Sequence, residues 1–256
     1  MRIEQERFNP KQFVPPWVRH QHLERYRWAA RMVGGRRVLD AACGTGYGTM
    51  LLAGAGASSV LGVDCSPAAV AGAMRGCGRP NVGFAVASAD RLPVPDGSYD
   101  VYVSYETIEH VEDDEGLLAE AARVLDPGGL FLVSTPNRGL LDPGISMDQK
   151  PFNKFHVREY KRDELEERLG RYFQSVEWFG QSAYARSYVA SLDWLGRFCP
   201  SLAVRFHQAR KCLHWPWESS QCHLPRAWSD GSILPEILIA VCRSPRPGLQ
   251  RRDGRQ

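Results

Sequence analysis

The stretch Val38–Gly48, VLDAACGTGYG, decides the fold of this chain of 256 residues. An apolar run that carries Asp40 is followed by glycines at positions 44, 46 and 48 and then by a helix-like segment. Glycine lets the backbone approach a ligand closely, and the N–H groups at a helix N-terminus attract negative charge. The dinucleotide-binding fingerprint GxGxxG would need a glycine where this chain has Thr49, so the spacing departs from that fingerprint. The stretch therefore predicts a strand, a ligand-binding loop and a helix.

Short β-rich runs alternate with helix-like stretches from residue 37 to residue 136, which is typical of a doubly wound parallel sheet. The second run ends in Asp64, where a carboxylate can accept hydrogen bonds from ribose hydroxyls. Near-continuous apolar runs such as GLFLVS suit a sheet that is covered on both faces. We predict an α/β fold with a mostly parallel, seven-stranded, Rossmann-like sheet and strands at Val38–Ala42, Ser59–Asp64, Val82–Ser88, Asp100–Tyr105, Leu130–Ser134, Ser175–Phe179 and Glu236–Cys242.

Two segments lie outside this alternation. Residues 18–33 predict an amphipathic entry helix that follows the proline pair at 15 and 16. Residues 183–230 carry four of the seven tryptophans, and so apolar a connection is predicted to fold as a cap before the last strand. The predicted organisation is a single domain over residues 1–242, with an entry segment 1–36, a ligand-binding core 37–182, the cap 183–230 and the last strand 231–242, followed by a disordered basic tail 243–256.

The composition is that of a soluble globular protein, with 43% hydrophobic and 24% charged residues. The chain shows no apolar leader and no run of about 18 apolar residues, so we expect a cytoplasmic protein without a membrane partner. The seven scattered cysteines are then expected to be free thiols. Residues 37–136 hold five Lys/Arg and thirteen Asp/Glu, whereas residues 1–36 hold eight and three. This separation permits an anionic small molecule as partner and lacks the continuous basic stripe of a nucleic-acid binder.

Four segments of the chain resemble class I S-adenosylmethionine-dependent methyltransferases of the type that acts on metabolites and sugars. They are LDAACGTGYG, the acidic end of LGVD, ASADRLPVPDGSYDVYVSYETIEHV and EAARVLDPGGLFLVSTPN, and they follow one another in the family's order between residues 37 and 137. The resemblance implies S-adenosylmethionine as the cofactor and a small-molecule methyltransferase as the enzyme.

The same resemblance implies roles for individual residues in cofactor binding. Gly44 and Gly46 would pass beside the methionine part of the cofactor, and Asp64 would bind its ribose. Asp40 would support the loop and the amino group. Ser88 stands where the family often has an aspartate, so the serine hydroxyl and the next backbone N–H become the expected adenine partners. The remaining expected cofactor contacts are Ala42, Cys65, Ala89 and Tyr105.

The segment SYETIEH supplies the candidate chemistry. It follows the fourth strand, at the carboxyl edge where ligands bind in open α/β sheets. A helix that starts near Glu106 would place Glu106 and His110 at positions i and i+4, where the carboxylate would orient the imidazole and raise its basicity. His110 is therefore predicted to be a general base for an alcohol acceptor, with packing beside the cofactor as the alternative. His156 is the second candidate base, or else a residue that fixes its own loop.

Acceptor contacts are predicted on several elements. Asn137 either points into the acceptor pocket or caps a strand end, and Arg25 either closes over the cofactor or is solvated on the surface. The cysteines and histidines of the cap lack the paired spacings of zinc sites, so the reaction is predicted to be metal-independent. The predicted acceptor contacts are Tyr26, Glu106, Asn137, Trp194 and Trp215.

The predicted reaction is methylation of a hydroxyl on a small natural product or sugar. Two alternatives stay open: an N-methyltransferase that acts on an amino sugar or another amine, and a non-catalytic subunit with a cofactor fold. Methylation of nucleic acid is disfavoured, because the fourth strand ends in SYET. Base-modifying methyltransferases usually show an Asn/Asp-Pro-Pro-aromatic element at this position.

Overall fold

The computed structural model describes residues 14–141, 149–214, 225–227 and 233–246. Its strands are β1 (Arg37–Ala41), β2 (Ser59–Asp64), β3 (Val82–Val86), β4 (Tyr99–Tyr105), β5 (Leu125–Pro136), β6 (Phe173–Ala185), β7 (Arg226–Ala227) and β8 (Ile233–Pro245). Within the described residues they form one sheet of eight strands in the order β3-β2-β1-β4-β5-β8-β6-β7.

The direction of winding reverses at β1. This strand pairs in parallel with β2 on one side and with β4 on the other, and the parallel arrangement continues to β3 and β5. Strand β8 is antiparallel to both β5 and β6. Ligands bind open α/β sheets at the carboxyl edge beside such a reversal. The predicted doubly wound fold is confirmed, and the two-residue β7 is an addition to the seven predicted strands.

Helices cover the sheet on both faces. They are α1 (Pro16–Ala29), α2 (Tyr47–Gly54), α3 (Pro67–Arg75), α4 (Asp114–Val124), α5 (Arg138–Leu141), α6 (Arg162–Tyr172), α7 (Arg186–Phe198) and α8 (Pro200–His214). The entry helix α1 begins at Pro16, because the fixed φ of proline suits the first position of a helix. Among the described helices, none has both the length and the apolar character needed to cross a bilayer.

The described residues of the predicted cap include the end of one strand, two helices and the short strand β7. Strand β6 continues to Ala185 and takes the first residues of the cap into the sheet. Helices α7 and α8 then pack against each other as a hairpin. The remaining cap tryptophans, Trp215, Trp217 and Trp228, lie outside the described residues.

The last strand is longer than the sequence predicts. In β8, Arg243 pairs with Leu130 of β5 on one side and with Ser175 of β6 on the other, and the strand reaches Pro245. Residues 243–245 of the predicted basic tail therefore belong to the sheet, because two neighbouring strands supply hydrogen-bond partners there. Residues 247–256 lie outside the described part of the chain.

The core has two layers, one on each face of the sheet. Val38 and Val103 pack with residues of α1 and α2, whereas Leu39 and Tyr102 pack with residues of α4 and α6. Successive strand residues point to opposite faces, so a strand covered on both faces needs an uninterrupted apolar run. This explains the apolar runs that the sequence shows in the central strands.

We expect Gly48→Ala to destabilise the protein, because a Cβ at position 48 would lie 2.2 Å from Cε1 of Tyr26. Overpacking of this kind costs about 1–3 kcal/mol. The matched control is Gly72→Ala in α3, where the nearest atom to an added Cβ is the end of the Arg75 side chain at 3.8 Å. That control should stabilise the helix by about 0.5–1 kcal/mol. Urea unfolding of both variants measures the difference, and equal stability of the two would contradict the packing argument.

Candidate active site

The glycine loop lies between β1 and α2, and residues with positive φ shape it. Ala42, Gly44 and Gly46 have φ of 55°, 55° and 76°. A Cβ at Gly46 would lie 2.8 Å from Cβ of Ala73 and 2.9 Å from the Phe84 ring, so packing against α3 and β3 requires glycine at this position. Ala42 takes the left-handed conformation without being glycine, which agrees with the prediction that a small residue fits there.

Asp64 joins the loop to the end of β2. Its Oδ2 accepts a hydrogen bond from the Gly44 N–H at 2.9 Å, and its Oδ1 accepts one from the Ser66 N–H at 2.9 Å. A carboxylate has about four acceptor positions, so two backbone donors leave capacity for further donors. The residue predicted to bind a ribose thus also holds the glycine loop in place.

Asp40 is fully buried beneath the loop. Its Oδ1 accepts a hydrogen bond from the Tyr26 hydroxyl at 2.9 Å, and its Oδ2 accepts one from the Thr49 hydroxyl at 2.6 Å. Burial raises the pKa of Asp40 from 3.8 to about 6, although both hydrogen bonds act in the opposite direction. Asp40 therefore supports the loop by connecting β1 with α1 and α2.

Tyr26 and Tyr105 form an aromatic floor under the loop. Their rings meet edge to face with centroids 5.3 Å apart, and both side chains are almost completely buried. Tyr26 was predicted to contact the acceptor and Tyr105 the cofactor. In the structure Tyr26 belongs to the core and acts on the site through Asp40, so its surroundings are those of a supporting residue.

The expected adenine contacts lie around the carboxyl ends of β2 and β3. The Ala87 N–H donates to the Asp64 carbonyl at 3.1 Å, which holds the segment after β3 beside β2. Cys65 and Ser88 are exposed, Ala89 is buried, and the Ser88 hydroxyl donates to the Asp90 carboxylate. The structure thus brings these predicted residues together at one edge, next to Asp64.

The segment after β4 differs from its prediction. Residues Ile108–His110 form a single 3-10 turn, and Glu106 has a φ of 50°. The predicted i, i+4 pairing of Glu106 with His110 on one helix is therefore wrong. Glu106 instead accepts a hydrogen bond from the Ser134 hydroxyl at 2.7 Å on the neighbouring strand β5.

Arg25 is a second difference from the predictions. Its side chain is 1% exposed, so the alternative of surface solvation is wrong. The guanidinium donates to Oε1 of Gln181 at 2.9 Å, and its Nη2 lies 3.8 Å from Oε2 of Glu106. Arg25 thus brings a buried positive charge from α1 to the carboxyl edge of the sheet.

His110 and His156 lie side by side, with ring centroids 4.8 Å apart. Backbone hydrogen bonds from the N–H groups of Val157 and Arg158 to the Glu109 carbonyl, at 2.8 and 3.3 Å, attach the His156 segment to the turn that carries His110. The two predicted bases lie on separate loops in the sequence, and the fold brings them into one site.

The contacts of the two rings identify their tautomers. Nδ1 of His110 lies 3.2 Å from the Phe155 carbonyl, and a carbonyl only accepts, so this nitrogen carries the proton. Nδ1 of His156 is hydrogen-bonded to the Glu159 carboxylate, and its Nε2 lies 3.0 Å from Nδ2 of Asn153, an amide donor. In the neutral form of each ring the lone pair is thus on Nε2.

Two acidic residues near this pair had no assigned role in the sequence analysis. Glu109 is 1% exposed and its Oε2 accepts a hydrogen bond from the Thr135 hydroxyl at 3.0 Å. Ligand atoms of Glu109, His110 and His156 all lie within 4.8 Å of one another. Glu159, the partner of His156, is three residues further along the chain, and this spacing was the one local signal that pointed to it.

The remaining predicted acceptor contacts have separate outcomes. Asn137 is buried, its amide donates to the Pro235 carbonyl at 2.7 Å, and its Oδ1 accepts from the Gly139 N–H at 3.0 Å, which is the capping alternative. Trp194 on α7 is 64% exposed and contacts Phe198 of the same helix. Trp215 lies outside the described residues.

Comparison with known proteins identifies sequences that are similar to part of this chain. The model of the family described as "Methyltransferase domain" matches residues 39–133. A "Probable S-adenosylmethionine-dependent methyltransferase" of Mycolicibacterium smegmatis is 42% identical over 153 residues, which are 60% of this chain and 57% of the relative. A "Ubiquinone biosynthesis O-methyltransferase" of Rhizobium rhizogenes is 33% identical over 138 residues, which are 52% of this chain and 54% of the relative. The chain spans a little over half the length of these curated relatives.

A solved structure resembles the whole arrangement. The S-adenosylmethionine dependent methyltransferase of Mesorhizobium loti matches with a TM-score of 0.56 at 21% sequence identity, and the match covers 87% of this chain and 99% of that structure. At this identity the likeness concerns the fold alone.

We expect the buried carboxyl of Asp40 to make stability depend on pH. Its pKa is about 6 in the folded chain against 3.8, so protonation favours the folded state. Its contribution to the free energy of unfolding is complete below about pH 4 and is lost as the pH rises through about 6, by roughly 3 kcal/mol. Asp40→Asn keeps an oxygen acceptor for Tyr26 and removes this titration.

Urea unfolding of the wild type and of Asp40→Asn, measured from about pH 4 to about pH 7, tests this expectation. The stability of the wild type relative to the variant should fall across that range. Asp100→Asn is a control of opposite sign, because hydrogen bonds from Arg37 lower the pKa of Asp100. Parallel stability curves for the wild type and Asp40→Asn would contradict the assignment.

Proposed function

We propose, because residues 39–133 match the model of the methyltransferase domain family, that this protein transfers a methyl group from S-adenosylmethionine to a hydroxyl of a small molecule. The observation that carries the proposal is the carboxylate of Asp64, which is hydrogen-bonded to the glycine loop at the point where the winding of the sheet reverses. This is the position at which an open α/β sheet binds a nucleotide.

The residues at this edge fit S-adenosylmethionine. Asp64 retains acceptor positions for ribose hydroxyls, and glycine at position 44, where φ is positive, lets a ligand approach the loop backbone closely. Cys65 and Ser88 are exposed beside Asp64 and available to an adenine ring. Tyr105 closes the floor below. When bound, the cofactor supplies a methyl group on a sulfonium, and the carbon–sulfur bond breaks as the bond from carbon to the acceptor oxygen forms.

The acceptor hydroxyl is assigned to the side of the site that carries His110 and His156. An alcohol becomes a good nucleophile only when its proton is removed or its negative charge is stabilised. Both neutral rings have their lone pair on Nε2, as their Nδ1 contacts require. Glu106, which follows β4 directly, lies on the same edge and can accept a hydrogen bond from the acceptor.

The class of acceptor is proposed from charge and from one relative. The acidic core is flanked by basic segments, and buried Arg25 adds a positive charge at the edge, which favours a polar or anionic small molecule such as a sugar or a hydroxylated natural product. The Rhizobium relative is named an O-methyltransferase, which supports a hydroxyl over an amine. Methyl transfer from labelled cofactor into an extract of the producing cell, followed by mass identification of the product, tests the reaction and supplies its acceptor.

Binding of S-adenosylmethionine should depend on Asp64. We expect Asp64→Asn to weaken binding by about 10- to 100-fold, because the variant loses the charged acceptor of two backbone N–H groups and of the ribose. Calorimetric titration of the full chain measures the dissociation constant. Asp100→Asn is the matched control, since that carboxylate lies at the amino end of β4, near Arg37, and should leave the affinity unchanged. Absence of binding to the wild type would favour the non-catalytic alternative.

Methyl transfer should depend on the histidine pair. We expect His110→Ala and His156→Ala each to lower kcat by about 10²-fold or more, while the dissociation constant of the cofactor stays within about 2-fold. His20→Ala on α1 removes an imidazole elsewhere and should leave both quantities unchanged. Full activity in both variants, with a steep dependence on ionisation of the acceptor, would instead favour the amine alternative.

A further inference from the structure

We propose that Glu109, His110 and His156 bind a divalent transition-metal cation. Cation binding itself does not depend on the proposed function. The role of the cation in holding the acceptor hydroxyl rests on the proposed function. The sequence predicts metal-independent transfer because the cysteines and histidines of the cap lack the paired spacings of zinc sites. These three ligands come from two segments that only the fold brings together.

The three side chains are close enough to share one ion. Their ligand atoms lie within 4.8 Å of one another, and all three are buried or half-buried. Ligands about 2.0–2.2 Å from a zinc ion lie roughly 3–4 Å apart, so small rotations of the side chains complete the site. Two imidazoles and one carboxylate suit Zn²⁺, Fe²⁺ or Co²⁺, whereas Mg²⁺ and Ca²⁺ prefer oxygen ligands alone.

The contacts behind the ligands orient them as in metal sites. A metal-binding histidine typically donates its other N–H to a carbonyl or a carboxylate, which fixes the ring and raises its basicity. His110 has the Phe155 carbonyl in this position, and His156 has the Glu159 carboxylate. Nε2 of His156 accepts from the Asn153 amide at 3.0 Å, so a cation at that nitrogen would take the place of this amide donor.

Negative charge is concentrated around the ligands. Glu109 is 1% exposed. Glu159 is also buried, and its Oε2 has no hydrogen-bond partner among the described residues. A third carboxylate, that of Glu106, has its Oε2 3.8 Å from Nη2 of Arg25. A dication between the ligands would offset the mutual repulsion of the carboxylates of Glu106, Glu109 and Glu159.

Three protein ligands leave coordination positions open, as in catalytic metal sites. A hydroxyl bound there would be held beside the glycine loop, and the cation would stabilise the oxyanion that attacks the methyl carbon. The hydroxyl proton leaves to solvent, the carbon–oxygen bond forms, and the sulfonium becomes a neutral thioether. The two histidines would then serve the acceptor through the cation and would not remove the proton themselves.

The test is titration of the metal-free full chain with Co²⁺, followed by visible absorption, and with Zn²⁺, followed by calorimetry. We expect one equivalent of cation to bind, and Glu109→Gln, His110→Ala and His156→Ala each to weaken binding by about 10- to 100-fold or more. Asn153→Ala should bind at least as tightly as the wild type, because the amide that competes for Nε2 is gone. His20→Ala should bind as the wild type does.

Circular dichroism and the melting temperature of each variant separate a lost ligand from a lost fold, and Glu109→Gln keeps the shape of its side chain. Absence of binding by the wild type, or binding that none of the three ligand variants weakens, would overturn the proposal. Calorimetry with S-adenosylmethionine on the same samples keeps the two hypotheses apart. Cofactor binding without cation binding defeats only the metal site, whereas cation binding without cofactor binding defeats the proposed function.

Discussion

The buried carboxylate of Asp40 is the constraint on which the site depends. It lies on β1 with no exposed surface, and the hydroxyls of Tyr26 and Thr49 donate to its two oxygens. A buried carboxylate without such donors would be very costly, so the loop helix and the entry helix are both held where their hydroxyls reach it. Tyr26 can take this position because Gly48 has no side chain. The entry helix is thus part of the loop's support.

A second constraint is carried by backbone groups. The Glu109 carbonyl accepts hydrogen bonds from the N–H groups of Val157 and Arg158, and this attaches the long connection after β5 to the turn after β4. Backbone hydrogen bonds, and not contacts of the imidazoles, therefore hold the two histidine segments together. Because the loop of β1 lies between Asp64 on one side and this turn on the other, the proposed cofactor and acceptor regions share one edge of the sheet.

Much of the fold was predictable because its signals are local. The central strands are buried on both faces and therefore appear as apolar runs, and the glycines mark the loop that follows β1. The site was predictable only in part. Glu106 and His110 were expected on one helix, but Glu106 has a positive φ and exchanges hydrogen bonds with Ser134: its N–H donates to the Ser134 hydroxyl, which donates to its carboxylate. The helix therefore does not start there. From the sequence, Asn137 could either contact the acceptor or cap a strand end. In the structure its amide donates to the Pro235 carbonyl, which agrees with the cap.

The sequence by itself determined the order of strands and helices, the position of the glycine loop and the acidic end of β2, since each depends on the properties of neighbouring residues. Only the tertiary structure decided which distant side chains share a site. The neighbours Glu109 and His110 meet the local pair of His156 and Glu159 through backbone pairing between two loops. Arg25 is buried where Gln181, on a strand late in the chain, accepts its hydrogen bond. Such pairings depend on how the elements pack around the sheet, and no local pattern of residues encodes them.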